Sequence, residues 1–418
     1  MNPPYPIVQT VFLLNFAANG VSSMTDTESN LQNYLATYLR GGIDPAGLPY
    51  DGFFAKMNPY LAGGDWSLAW GPCVYCLDPL GPGNATNAMY VAHSPSLSTY
   101  VVAIAATNPI SIYDWIAEDG DVDPHYMAAW PLQTPFVRIE HAPYGASPAA
   151  ISAATAQGVS DLLTQPAMRD PATGQNISEY LASVNDPGAT LIFSGHSLAG
   201  ALSPTLAFHL FPNGSAAPWK QVLTLPTAGA TPGNAAFAAA FVAAFPPTSA
   251  PLPGVATPGG FAWNTDYGNS NDVVPHAWNQ LSQVVTGPIN DRLQYNSFWG
   301  VMSADIGTGL LAALVGAENL SGGIYANLTQ EFREPAWGSW QWVQDTDGAW
   351  QYPPTWVDLV PYTSAAPLNS IADMGAMIMA THVDQYQNIF GVLPPPRMSH
   401  TPAPAPTPPP QKRKPEPA

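Results

Sequence analysis

Ser197 stands in Gly195-His-Ser-Leu-Ala199, between an apolar run at 191–193 and small and apolar residues at 199–202 with helical spacing. A strand that turns sharply into a helix with serine at the apex exposes the hydroxyl above a sheet, where it can attack a carbonyl carbon. Strand and helix backbones pass close together in such a turn, so small residues are needed two positions before and two after the serine. Gly195 and Ala199 fill those places. Leu198 would then open the helix and offer its backbone N–H to a developing oxyanion.

A serine attacks only when a base takes its proton and a carboxylate holds that base in the right tautomer. The chain has eight histidines, of which His209, His276, His382 and His400 follow Ser197. His209 falls in the helix behind the serine and His400 in a Pro-rich tail, which leaves two. Asp272, in Asn271-Asp-Val-Val-Pro275, follows a strand expected over 261–264, where a carboxylate of this kind belongs. His276 is expected to pack locally beside it, so His382 is the expected base. Asp266 is the reserve acid, and Asp384 lies too near His382 in sequence to be the first choice.

The elements that carry these residues can be read in order. Thr25-Asp-Thr-Glu28 has the form of a capping box and predicts a helix that buries Leu31, Tyr34, Leu35, Tyr38 and Leu39 and stops at Gly41. Residues 43–87, rich in Gly, Pro and Trp, predict irregular chain around the core. Runs at 88–93 and 99–106 predict a hairpin whose second strand is central. Helices are predicted over 147–163, 198–210 and 234–245, and strands over 189–194, 221–225 and 261–264. This alternation predicts an α/β fold, a mostly parallel sheet with helices on both faces. Residues 286–365 break it with an apolar helix at 301–315 and with Trp337, Trp340, Trp342, Trp350 and Trp356, and predict an inserted cap. Helical spacing returns over 370–386, and from 395 a Pro-rich stretch predicts an extended, disordered tail.

Composition bounds the partners. Of 418 residues only 10% are charged, and 29 acidic against 11 basic residues give a formal net charge of −18. Nothing outside the tail's Lys412, Arg413 and Lys414 could neutralise phosphates, so nucleic acid is not an expected partner. No apolar run reaches the roughly 18 residues that span a bilayer. No Lys or Arg precedes Arg40, so the apolar stretch at 11–16 lacks the basic region of a secretory signal. The expected location is the cytoplasm, or outside by an unconventional route. Cys73 and Cys76 form one Cys-x-x-Cys where a four-thiolate zinc site needs two, so a local disulfide or two quiet thiols is expected.

Gly195-His-Ser197-Leu-Ala-Gly-Ala-Leu202 resembles the serine segment of the class 3, fungal-type lipases, α/β-hydrolases that cleave acylglycerols at a lipid interface. Thr227-Ala-Gly-Ala-Thr-Pro-Gly-Asn-Ala-Ala-Phe237 is similar to their strand-loop-helix with Gly-Asn-x-x-Phe. Residues 271–275 resemble their Asp-x-Val-Pro acid segment, and His382-Val-Asp-Gln-Tyr386 their His-x-x-Tyr base segment with one residue more. Their oxyanion segment, a strand ending in Arg-Gly-Ser/Thr and followed by Trp-Ile-Ala, is matched by Ile104-Ala-Ala-Thr107 and Trp115-Ile-Ala117, with Ala-Ala in place of Arg-Gly.

The resemblance implies an α/β-hydrolase domain over 88–394 with its cap at about 286–365, after an N-terminal unit at 1–87 and before the tail at 395–418. It implies a triad of Ser197, His382 and Asp272, an oxyanion hole made by Leu198 and Thr107, and a lid near 109–126. The implied activity is ester hydrolysis through an acyl-enzyme, above all of acylglycerols, on a lipid or small ester substrate with a transient lipid interface. No cofactor or metal is called for. Short or non-lipid esters, acyl transfer, peptide hydrolysis and a non-catalytic binding protein on the same fold are the alternatives.

Overall fold

The computed structural model describes residues 4–44, 47–105, 122–249, 260–269, 272, 274–279, 319, 321–333, 343–344, 350–351 and 380–392. Thr107, residues 109–121 of the expected lid, the apolar helix at 301–315, four of the five tryptophans and the tail lie outside them. Seven strands make the central sheet: β1 (Ser67–Tyr75), β2 (Asn87–Ser94), β3 (Thr99–Ile104), β4 (Thr190–His196), β5 (Gln221–Thr227), β6 (Asp266–Asn269) and β7 (Gln330–Arg333). They lie side by side in chain order. From β3 to β7 every neighbouring pair is parallel, and β1 and β2 complete the sheet antiparallel.

Alternation along the strands decides the layers. Tyr90, Ala92, Val101, Ala103 and Ile192 join one core with α1 (Ile7–Ala18), α2 (Glu28–Arg40) and Phe390 of α6 (Gln385–Phe390). Met89, Val91, Val102, Leu191 and Phe193 join the other, with α3 (Ala153–Thr164), α4 (Leu198–Leu210) and α5 (Ala235–Ala244). A sheet covered on both faces buries both sets of side chains, and β3 and β4 are buried at every position. Cys73 and Cys76 are free, buried thiols, one in each core, and burial pushes both up, Cys76 to about 11.

The first 87 residues supply more than a wrapping. In α1, 10 of the 12 residues are buried, and Phe12 stacks on Phe390 at 4.1 Å. At about 1.5–3 kcal/mol for each large apolar side chain buried, this helix is a main contributor to its core. β1 is an edge strand whose outer polar groups are met by α2 side chains instead of another strand. Gln32 accepts from Val74 N at 2.8 Å and Glu28 from Cys76 N at 3.0 Å, while Arg40 donates to Gly71 O at 3.0 Å. Such cover keeps the edge from pairing with other chains.

Three strands differ from the sequence reading, and the first is β1, which lies within the stretch over 43–87 expected to be irregular. The expected strand over 261–264 is a single bridge, Thr248 with Trp263, because Asn264 turns the chain at φ 62 while its side chain bonds Thr224 N and Pro246 O. The strand falls on Asp266–Asn269 instead. Gln330–Arg333 lies inside the stretch expected as cap, yet it is the last strand of the sheet. Its Phe332 stacks on His276 at 4.6 Å, and Arg333 lies 3.9 Å over the Phe261 ring.

Candidate active site

β4 ends at His196, and α4 begins at Leu198. Ser197 between them is held at φ 63, ψ −130, a conformation that costs a non-glycine residue about 1–3 kcal/mol. Its surroundings enforce the turn. Ser197 N donates to Thr227 O at 3.0 Å, and a side chain at Gly195 would place Cβ 1.9 Å from Ala199 O. A Cβ at Gly200 would sit 2.6 Å from Thr227 O. Leu198, as first residue of α4, has a backbone N–H with no acceptor within the helix. β3, the strand leading towards Thr107, ends beside β4 in register Gly195 to Ile104. From α1, Asn15 Nδ2 donates to Ile104 O at 2.8 Å and to Ser194 O at 3.0 Å, so one amide ties the ends of both strands.

The expected acid and the expected base come together. His382 Nδ1 lies 2.7 Å from Asp272 Oδ2, with the two side chains 1% and 0% exposed. A carboxylate accepts, so Nδ1 carries a proton, and in the neutral ring Nε2 keeps its lone pair. That Nε2 is buried and has no hydrogen-bond partner among the described residues. Asp272 Oδ2 also accepts from the Tyr386 hydroxyl at 2.9 Å, and Oδ1 accepts from Val274 N at 3.1 Å. The base segment touches the serine segment: His196 Nε2 is 2.7 Å from His382 O.

The residue by which His382 and Tyr386 are further apart than in the His-x-x-Tyr pattern is accommodated locally. Residues Ala380–Asp384 form a π-turn running into α6, and it brings both His382 and Tyr386 to one carboxylate oxygen. Asn269, at the end of β6, clamps this turn. It donates through its backbone N to the Tyr386 hydroxyl at 2.8 Å and through Nδ2 to Thr381 O at 2.7 Å. Neither Tyr386 nor Asn269 was named as a site residue from the sequence. The place of Tyr386 in the base segment, four residues after His382, is the signal for it, and Asn269 has none. Replacing Tyr386 by Phe leaves Asn269 N and one carboxylate position unpaired, so a stability loss of about 1–3 kcal/mol is expected. Thermal melts beside steady-state kinetics test it, with kcat expected to fall far less than for loss of Asp272 itself.

Asp266, the reserve acid, is not the partner of His382. Its Oδ1 accepts from Gly229 N and its Oδ2 from Gln330 Nε2, each at 3.2 Å, beside a small cavity lined by Gly200, Thr231 and Asn327. Burial raises its pKa from 3.8 to about 7, against the pull of those two donors and with a push from Asp272. The unfolded chain therefore ionises first. The stability this group contributes is complete below about pH 4 and is lost as pH rises through about 7. Asp266→Asn is expected to flatten that slope, which reaches roughly 1.4 kcal/mol per pH unit in the window, in urea melts of both proteins at pH 5 and pH 8. Asp384 lies in the π-turn, His209 in the last turn of α4, and His276 packs on Phe332. Among the described residues no group of three or more His, Cys, Asp or Glu could hold a metal, and no helix is long and apolar enough to cross a membrane.

A mostly parallel sheet between two helical layers, with a strained serine between strand and helix, is the α/β-hydrolase fold. Comparison with solved structures agrees. M37 lipase matches over 93% of this chain and 94% of its own, with 22% identity and a TM-score of 0.56. The triacylglyceride lipase of Rhizomucor miehei matches over 64% and 73%, with 15% identity and a TM-score of 0.35, and a lipase from Rhizopus microsporus var. chinensis over 66% and 71%, with 16% and 0.35. The M37 likeness spans nearly the whole of both chains, and on it the chain has the fold of a lipase. No protein-family model matches the sequence, and no curated protein matches it.

Proposed function

We propose that this chain is a serine hydrolase of carboxylic esters, acting on acylglycerols through an acyl-enzyme. The observation that carries the reading is the buried His382–Asp272 pair, whose unpartnered Nε2 belongs to a segment in contact with the strained Ser197 turn. In this reading His382 Nε2 takes the Ser197 proton as the hydroxyl attacks the ester carbonyl, and Asp272 stabilises the imidazolium. The N–H groups of Leu198 and Thr107 hold the oxyanion, and loss of one such donor typically costs about 2.7–4 kcal/mol of barrier. The proton passes from His382 to the leaving alcohol, and a water activated by the same ring releases the acid.

Lipases as fold neighbours and the resemblance of the serine, acid and base segments support acylglycerols as the substrate class. Hydrolysis across acylglycerol and nitrophenyl esters of rising acyl length, with and without micelles, tests it. Turnover rising with length and with an interface is expected. Turnover confined to short soluble esters would make the protein an esterase, and no turnover with no phosphonate labelling of Ser197 would leave a binding protein on this fold.

A further inference from the structure

The imidazole of His196, which the mechanism above does not use, is fully built into the site. Its Nε2 lies 2.7 Å from the backbone oxygen of His382, and its Nδ1 lies 2.9 Å from Thr227 Oγ1. A carbonyl oxygen can only accept, so Nε2 carries the proton and Nδ1 accepts from the Thr227 hydroxyl. The ring is 4% exposed and is packed by Phe16 at 5.4 Å, Tyr386 at 4.8 Å and His382 at 4.9 Å. Its neighbour in the chain is Ser197. One side chain thus spans from the residue beside the nucleophile to the peptide of the base.

We propose that His196 is a positioning residue that sets the distance between Ser197 and His382, by holding the His382 carbonyl from the end of β4. The proposal rests on the serine-hydrolase reading. A plain core histidine would need a partner for each nitrogen, but neither partner would need to belong to the site. Here the donor acts on a carbonyl inside a π-turn, a local departure from regular helical bonding, and Asn269 Nδ2 ties the same turn at Thr381 O. Burial, and then the neighbouring His382, push the His196 pKa well below its ordinary value, with the carbonyl opposing them. The strut therefore stays neutral and does not oppose the positive charge that forms on His382 4.9 Å away.

The two nitrogens can be replaced separately. A glutamine amide reaches the place of Nε2 and keeps a donor for His382 O, whereas an asparagine amide reaches only the place of Nδ1 and keeps Thr227. Phenylalanine keeps the ring contacts and neither bond. His196→Gln is expected to stay within about tenfold of the parent kcat. H196N and H196F are expected to lose about a hundredfold in kcat with KM unchanged, the size of effect that a misplacement of about 1 Å produces. Melting temperatures and the rate of phosphonate labelling of Ser197 are read on each variant. Equal kcat in all variants, whether retained or lost, overturns the proposal, and if H196F does not fold the comparison of Gln with Asn decides. If the parent protein neither turns over esters nor takes the phosphonate, the hydrolase reading has failed instead, and the two failures are told apart on the parent alone.

Discussion

Ser197→Ala is expected to lower ester turnover by roughly a million-fold, as loss of the nucleophile does in a serine hydrolase, while leaving the melting temperature within a few degrees. The two halves of that expectation have separate causes. The hydroxyl makes no capping bond to α4, so the helix loses nothing when it is removed. The bonds that shape the turn are backbone ones, Ser197 N to Thr227 O at 3.0 Å and Gly200 N to Ser197 O at 2.7 Å, and alanine keeps both. The strain at φ 63 is also unchanged, since any Cβ pays it. Turnover falls because the other hydroxyl near the end of β4, that of Ser194, is buried and donates to Leu225 O at 2.9 Å. Nitrophenyl ester hydrolysis, thermal melting and mass spectrometry after phosphonate treatment check the three parts. Residual turnover above about one part in a thousand, more than an oxyanion site and substrate binding leave behind, would assign the chemistry to another residue.

What could be read in the sequence follows from how local each constraint is. The serine turn was legible because close approach of two backbones admits only small residues at 195 and 199, and the structure leaves no room for a Cβ at Gly195. The hairpin of β2 and β3 and the helix α4 were legible because each is signalled within a dozen residues of chain. α1 was not. It is apolar nearly all round because it is buried nearly all round, so it shows no helical stripe. β6 was displaced because Asn264 reverses the chain at a position whose neighbours look like strand. β7 lay hidden among cap residues, since its place beside β6 is fixed by tertiary contacts of Phe332 and Arg333. Within the candidate site, the pairing of Asp272 with His382 was legible from residue type and order, whereas Asn15, His196, Asn269 and Tyr386 act through bonds to partners that sequence cannot bring together.

Asp272→Asn is expected to cost about four orders of magnitude in kcat, the loss seen when a triad carboxylate becomes an amide. The bonding around this position gives the reason. Val274 N–H, the Tyr386 hydroxyl and His382 Nδ1–H all donate to Asp272, and an asparagine offers one acceptor oxygen and one donor amide in their place. Val274 N–H is a fixed backbone donor, so the asparagine oxygen must face it and the amide nitrogen must face His382. His382 can meet that nitrogen only by accepting at Nδ1, which moves its proton to Nε2, the atom that has to receive the serine proton. The base is then present, buried and in the wrong tautomer. The Tyr386 hydroxyl loses its acceptor as well, and a stability loss of about 1–3 kcal/mol accompanies the lost turnover. Asp266→Asn supplies the contrast, because that carboxyl bonds Gly229 and Gln330 and has no part in the tautomer of His382. It is expected to retain kcat within about tenfold, as a group outside the proton path should. Kinetics on the two variants, with the imidazole tautomer read by nitrogen NMR of labelled histidine, decide the matter: retention of a tenth of the parent kcat by Asp272→Asn would mean that the carboxylate at 272 does not orient the base.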